Sequence, residues 1–121
     1  MVNEEQSVYT DDYDDGFNKF FEDVKKNPQY DSEVIKKAYD LARDAHKNQR
    51  RRSGEPYIMH PVAVAEILYK LGMDNECIVG ALLHDVVEDT QYDLDYIKQE
   101  FGDEVALLVD GVTKLGQIPL S

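Results

Sequence analysis

Residues 77–89, with the sequence CIVGALLHDVVED, decide how this chain folds. The segment is apolar almost all round, which is typical of a helix at the centre of a domain. Asp74 is the expected start, and we predict one continuous helix that ends near Asp89. His84 and Asp85 lie deep within it, and an ionisable pair in such surroundings is costly unless it is paired or bound to a metal ion.

A continuous helix would give this segment one polar face. His84 would stand one turn before Glu88, and Asp85 one turn before Asp89. An imidazole grouped with carboxylates is what a divalent metal ion and its activated water require. The alternative is a buried histidine bonded to a backbone group, with the acids merely at a helix end. Four polar residues on one buried face need more than one partner, which favours the metal site.

Apolar residues at helical spacing predict further helices on both sides of this segment. Their expected spans are about 14–26, 32–49, 61–72, 90–101 and 103–112. Asp31 or Ser32 is the expected cap of the second helix, and Thr90 with Asp93 resembles a capping box. No stretch alternates convincingly with period two, and the predicted fold is therefore all-α.

The segment RRRSGEPYIMHP, residues 50–61, is predicted to be a loop that leads into a helix at Pro61. His60 stands at this junction, where its ring could point into a site. A surface histidine beside a proline is an equally good interpretation of the local sequence. His46 is expected to be an ordinary inward or boundary histidine, and we do not predict it as a ligand.

The overall charge excludes some partners. The chain has 121 residues, 13 Lys and Arg against 25 Asp and Glu, and a net charge of −12. A field of that sign gives no general attraction to nucleic-acid polymers or anionic membranes. No apolar run approaches the roughly 20 residues that cross a bilayer, and the start has no secretory signal. The single Cys77 fits a reducing compartment, and we expect a cytoplasmic protein.

The charges are unevenly placed. Residues 1–23 hold eight acids and one Lys, and residues 1–13 are expected to form an acidic flexible arm. Residues 43–52 hold five of the 13 basic side chains and one acid. Such a local cluster suggests an anion site. The alternative is a solvated helix end, where cations are also favoured.

Three segments resemble one family. They are AHKNQRRRSGEPYIMHPVAVAEIL (45–68), ALLHDVVEDT (81–90) and FGDEVALLVDGVTKLG (101–116). In this order and spacing they resemble the N-terminal hydrolase domain of the RelA/SpoT-type long alarmone synthetase/hydrolases, within the HD superfamily of metal-dependent phosphohydrolases. The resemblance implies an HD-domain helical bundle that lacks its C-terminal helices, with a partial domain over residues 14–121.

The resemblance also implies a metal centre. His60, His84 and Asp85 match three of the family's four metal ligands, and the metal is usually Mn²⁺. Nitrogen and oxygen ligands without thiolate suit such a cation. Glu88 and Asp89 match the acidic pair that positions and activates the attacking water. The fourth ligand, an Asp on a later helix, is absent from this chain.

A nucleotide subsite is implied as well. Arg51, Arg52 and Ser53 match the loop that packs on the guanine, although Arg52 stands where Lys is common. The implied reaction removes pyrophosphate from the 3′ position of ppGpp or pppGpp and regenerates GDP or GTP. In the parent protein, a synthetase domain would normally follow.

Because the fourth metal ligand is missing, we expect this chain to be an N-terminal piece of a longer protein. We expect the piece to be inactive by itself. One alternative is a non-catalytic helical module, which could self-associate through apolar surface left by the missing helices. The other is an HD nucleotidase of different specificity. The loop argues against a general nucleotidase, which has no need of a platform for guanine.

Overall fold

The predicted all-α fold is confirmed over the residues that the structure, a computed structural model, describes: 12–89 and 91–116. These residues form seven α-helices and no strand, apart from one antiparallel bridge between Arg50 and Pro56. The helices are α1 (Asp12–Lys25), α2 (Ser32–Ala45), α3 (Met59–Lys70), α4 (Asn75–Leu83), α5 (Val86–Asp89), α6 (Leu94–Phe101) and α7 (Asp103–Gly116).

Helix α4 lies at the centre of the domain, as its composition predicts. It packs against α2, α3 and α7. Its residues from Ile78 to Leu83 are all buried, which leaves no solvated side along that stretch. Asp74 caps it by accepting a hydrogen bond from the Cys77 backbone N–H at 3.0 Å. The side chains of His84 and Asp85, which directly follow this helix, are 18% and 13% exposed.

The prediction of one continuous helix through residue 89 is wrong, because the chain turns at His84 and Asp85 between α4 and α5. In a continuous α-helix the Ala81 carbonyl would accept the N–H of residue 85. The His84 ring instead donates from Nδ1 to that carbonyl at 2.8 Å. A side chain that competes for a helical carbonyl favours a break at that point. Apolar periodicity does not register this competition.

Helix α2 is shorter than predicted. Asp31 caps its start as expected, accepting from the Val34 N–H at 3.2 Å. The helix ends at Ala45 and not near Gln49, with His46 as its C-cap. The chain then turns and enters the predicted loop, and α3 begins two residues before Pro61. The basic run at 50–52 therefore lies on the loop, beyond the end of the helix.

The cap of helix α6 also differs from the prediction. Asp93 alone is the N-cap, because its carboxylate accepts from the Tyr96 N–H at 2.9 Å and the helix begins at Leu94. Thr90, predicted as part of a capping box, lies outside the described residues. In α7, Val105 and Val109 are buried, whereas Val112 is 47% exposed.

The N-terminal helix α1 packs on α2 and α3 through its aromatic stripe. Phe17 is fully buried and its ring stacks on Tyr39, with 3.6 Å between the centroids. Asp12 begins this helix, and residues 1–11 of the predicted acidic arm lie outside the described residues. Within the described part of the chain, no helix combines the length and the apolar character needed to cross a membrane.

Candidate metal centre and anion pocket

Three predicted ligands come together where α3 meets the turn between α4 and α5. His60 lies in the first turn of α3, and His84 and Asp85 form the turn. One ligand atom from each of the three lies within 4.8 Å of the other two. The rings of His60 and His84 are 5.9 Å apart, centroid to centroid. We call these three residues the triad; the surface alternative for His60 does not hold.

The hydrogen bond of His84 to the backbone fixes which ring nitrogen is available. Because a carbonyl only accepts, Nδ1 carries the proton in the bond to Ala81. The neutral ring then has its lone pair on Nε2, which lies 3.1 Å from Asp85 Oδ2. The predicted alternative, a buried histidine bonded to the backbone, is therefore partly present. A hydrogen bond from one ring nitrogen to a backbone carbonyl is also the arrangement that orients a metal-binding histidine.

Asp85 is held in its charged form although it is largely buried. Burial by itself would raise its pKa, but the neighbouring side chains of His84 and Tyr57 outweigh that effect and lower the pKa below the usual value. The Tyr57 hydroxyl donates to Asp85 Oδ2 at 2.5 Å. A deprotonated carboxylate at this position is the state that binds a cation.

His60 is held neutral for a related reason. Burial and the positive charge of Arg51 lower the pKa of its imidazole, and these effects outweigh the opposing charge of Asp85. A neutral imidazole is the form that coordinates a metal. Two imidazoles and a carboxylate are a donor set suited to a first-row divalent cation. The triad therefore fits the metal that the resemblance implies, with three donors from the described residues.

Glu88 and Asp89 lie on α5, the short helix that follows the triad. Their side chains lie outside the described part of the structure. The predicted polar face, which paired His84 with Glu88 and Asp85 with Asp89 along one helix, does not hold because the helix is interrupted. Both acids follow Asp85 in the chain, after Val86 and Val87.

The basic cluster forms one wall of an open cavity of about 500 Å³. Its lining residues are Arg50, Arg51, Arg52, Ser53 and Tyr57. This loop is an ordered turn with its own backbone hydrogen bonds: Arg51 N–H donates to the Glu55 carbonyl at 2.9 Å, and Gly54 N–H to the Arg51 carbonyl at 2.8 Å. The helix-end alternative does not apply to the three arginines at 50–52, because α2 ends five residues before Arg50, but it does apply to Arg43 in the last turn of α2.

The arginines of this cavity have different surroundings. Arg50 donates from Nη1 to the Gly54 carbonyl at 2.9 Å and so closes the loop on itself. Arg51 lies near enough to His60 to lower the pKa of that ring. An anion bound by Arg51 would therefore lie beside the triad. Sequence patterns do not distinguish Arg50 from Arg51, because the two are adjacent members of one run of arginines. Both are exposed in the structure.

Tyr57 is the site residue that the sequence analysis missed. It lines the anion cavity and also bonds to Asp85, so it touches both halves of the site. The available signal was its place in the loop, three residues before His60. His46, by contrast, is the ordinary inward histidine that was predicted: it is 1% exposed and bonds through Nδ1 to the Gln49 side-chain oxygen.

A second cavity, apolar and of about 210 Å³, adjoins the triad at His84. Its other lining residues are Val64, Leu68, Cys77, Gly80, Ala81, Leu108 and Val112. It lies between α3, α4 and α7.

Several known proteins are similar to this chain in sequence. A probable GTP pyrophosphokinase of Mycobacterium leprae is 54% identical over 93 residues, 77% of this chain and 12% of the relative. A guanosine-3′,5′-bis(diphosphate) 3′-pyrophosphohydrolase of Aquifex aeolicus is 53% identical over 91 residues, 75% of this chain and 13% of the relative. The bifunctional (p)ppGpp synthase/hydrolase SpoT of Escherichia coli is 50% identical over 91 residues, with the same two coverages of 75% and 13%.

The chain thus spans about an eighth of the length of these relatives. A family model described as an HD domain matches residues 38–121, a range that contains the triad and every residue of the anion cavity. The match covers well over half of the sequence, and it agrees with an all-α bundle whose histidine–aspartate pair stands beside a second histidine. The chain belongs to the HD domain family.

Proposed function

We propose that this chain is the hydrolase part of a metal-dependent guanosine-3′,5′-bis(diphosphate) 3′-pyrophosphohydrolase. The reaction is the removal of pyrophosphate from the 3′ position of ppGpp or pppGpp. One observation carries the proposal: a His–His–Asp triad stands beside an arginine-lined cavity, and Arg51 acts electrostatically on the triad residue His60. The names of the relatives support the same reaction.

His60, His84 and Asp85 are the residues that we assign to the cation, for which we propose Mn²⁺. When bound, it would supply positive charge that polarises a phosphoryl oxygen and makes a water molecule more acidic. His84 presents Nε2 because Nδ1 is held by Ala81. The neighbouring side chains of His84 and Tyr57 lower the pKa of Asp85, which favours its charged form. The chain thereby favours the protonation states of His60 and Asp85 that binding needs.

Arg51, Arg52 and Ser53 are the residues that we assign to the nucleotide. Guanidinium groups bind phosphate through paired N–H donors, and both arginines are exposed at the cavity. Held there, the substrate would present its 3′ phosphates toward the triad, and fixed orientation lowers the barrier to attack. We assign the orientation of the attacking water to Glu88 and Asp89, the acids that follow the triad on α5.

The test is hydrolysis of ppGpp labelled in the 3′ β-phosphate, by this chain and by a longer protein that contains it. We expect Mn²⁺-dependent release of labelled pyrophosphate by the longer protein, and its loss with a chelator. Release of labelled orthophosphate would favour the alternative nucleotidase. Activity unaffected by chelator would contradict the metal assignment.

Arg51→Ala provides the second arm of that test. The variant should raise KM for ppGpp more than it lowers kcat, because the loop binds the ground state and the transition state alike. Lys47→Ala is the matched control, since Lys47 is an exposed cation paired with Asp44 at 3.5 Å and is not among the residues that line the cavity. An equal change of KM in both variants would mean that Arg51 acts only through net charge.

The proposal includes a prediction of location. A cytoplasmic location agrees with the chemistry of a soluble nucleotide. Self-association through apolar surface is the prediction of the non-catalytic alternative, and Leu71 and Leu107 offer surface for it because they are 70% and 71% exposed. Analytical ultracentrifugation of the chain tests it, since a monomer at all concentrations would contradict it.

A further inference from the structure

Tyr57 joins the two halves of the site through a single side chain. Tyr57 is one of the residues that line the cavity of the arginine loop, and its hydroxyl donates to the triad residue Asp85, 28 residues away in the sequence. We propose that Tyr57 is a positioning residue that orients Asp85 toward the cation. The inference rests on the proposed metal site and assigns a role to a residue outside the ligand set.

Asp85 needs such a partner because a carboxylate can rotate. Its Oδ2 receives the Tyr57 hydroxyl at 2.5 Å and lies 3.1 Å from His84 Nε2. A hydrogen bond from a hydroxyl to a carboxylate is charge-assisted and is among the stronger ones in proteins. The Asp85 side chain is only 13% exposed, so water has little access to replace the phenol. Loss of the Tyr57 hydroxyl would remove the uncharged hydrogen-bond donor of Asp85 Oδ2.

Tyr57 is itself held from several sides. Its backbone N–H donates to the Gln49 carbonyl at 2.9 Å. Its ring lies 4.8 Å from the ring of His46, which is 1% exposed and bonded to the Gln49 side chain. On another side its ring lies 5.9 Å from that of His60. A phenol fixed in this way can fix the carboxylate that it contacts, as residues that hydrogen-bond to metal ligands do.

Substitution of Tyr57 by phenylalanine distinguishes a positioning role of the hydroxyl from simple packing of the ring. Phenylalanine keeps the ring and its contacts with His46 and His60 but removes the hydroxyl. Tyr57→Phe should therefore leave the fold unchanged and weaken the binding of a cation. Outer-shell substitutions of this kind weaken metal binding or activity by about 10–100-fold.

The chain offers a matched control in Tyr92, whose hydroxyl donates to the exposed carboxylate of Asp44 at 3.0 Å. Tyr92→Phe removes the same kind of bond away from the triad. Both variants and the wild-type chain would be titrated with Co²⁺ by visible absorption and with Mn²⁺ by calorimetry, and their melting temperatures would be measured without metal. We expect Tyr57→Phe to bind each cation about 10–100-fold more weakly and Tyr92→Phe to bind like the wild type.

The outcomes separate this inference from the proposed function. Equal affinities in the wild type and Tyr57→Phe would overturn the positioning role and leave the metal site standing. No saturable binding by the wild-type chain would overturn both. In a hydrolytically active longer protein, excess Mn²⁺ should restore the activity of Tyr57→Phe. Failure of that rescue would mean that the hydroxyl acts on something other than Asp85.

Discussion

The conformation of the arginine loop should depend on the absence of a side chain at Gly54. Gly54 has a φ of +92°, in the region that L residues rarely adopt. A Cβ built there meets no atom within 4 Å, so Gly54→Ala would introduce no collision. The whole cost then comes from the backbone and should be about 1–2 kcal/mol. For a domain of this size that corresponds to a fall in melting temperature of roughly 5 °C.

Gly111→Ala is the control for this substitution. Gly111 lies exposed on α7, and a Cβ there also meets nothing within 4 Å, but its backbone is helical. Alanine at that position should therefore raise the free energy of unfolding by about 0.5–1 kcal/mol. Thermal unfolding followed by circular dichroism measures both. A melting temperature of Gly54→Ala equal to or above that of the wild type would refute the argument from φ.

Core packing and pH should affect stability in defined ways. Leu82 is fully buried on α4 and Leu107 is 71% exposed on α7, so Leu82→Ala should cost about 2–5 kcal/mol in chemical denaturation and Leu107→Ala little; equal losses would contradict the central position of α4. The pKa of His60 is lowered from 6.5, so the unfolded chain binds more protons just below that pH and stability should fall as the pH drops through 6.5. The pKa of Asp85 is lowered from 3.8. The stabilisation of the folded chain by ionised Asp85 should therefore persist above that pH and be lost only in stronger acid. His60→Gln should reduce the loss of stability near pH 6.5 but not the loss in stronger acid. An unchanged pH profile of stability in that variant would count against His60 as the group that causes the loss near pH 6.5.

The sequence predicted the residue types of the site better than its local geometry. The polar pair His84 and Asp85 in an apolar helix indicated a metal site, the family resemblance added His60 as a ligand, and the structure brings the three together. The turn at His84 was missed, since it depends on a ring nitrogen that takes the Ala81 carbonyl. Hydrophobic periodicity reports burial and says nothing about such a bond.

Tyr57 and Arg50 show the other limit of prediction from sequence. The contact of Tyr57 with Asp85 joins residues far apart in the chain, and no local pattern encodes it. Arg50 and Arg51 are identical neighbours, yet one closes the loop on Gly54 and the other acts on His60. Their difference arises from the path of the backbone after α2, which ends earlier than its amphipathic pattern predicts.

The central claim is that His60, His84 and Asp85 hold a divalent cation, and metal titration of the melting temperature tests it most directly. A cation that binds only the folded chain stabilises it by about 2.7 kcal/mol at 100 times its dissociation constant. This corresponds to a rise in melting temperature of roughly 10 °C. We predict such a rise with Mn²⁺ for the wild-type chain and none for Asp85→Ala. No rise in the wild type, or an equal rise in Asp85→Ala, would contradict the account.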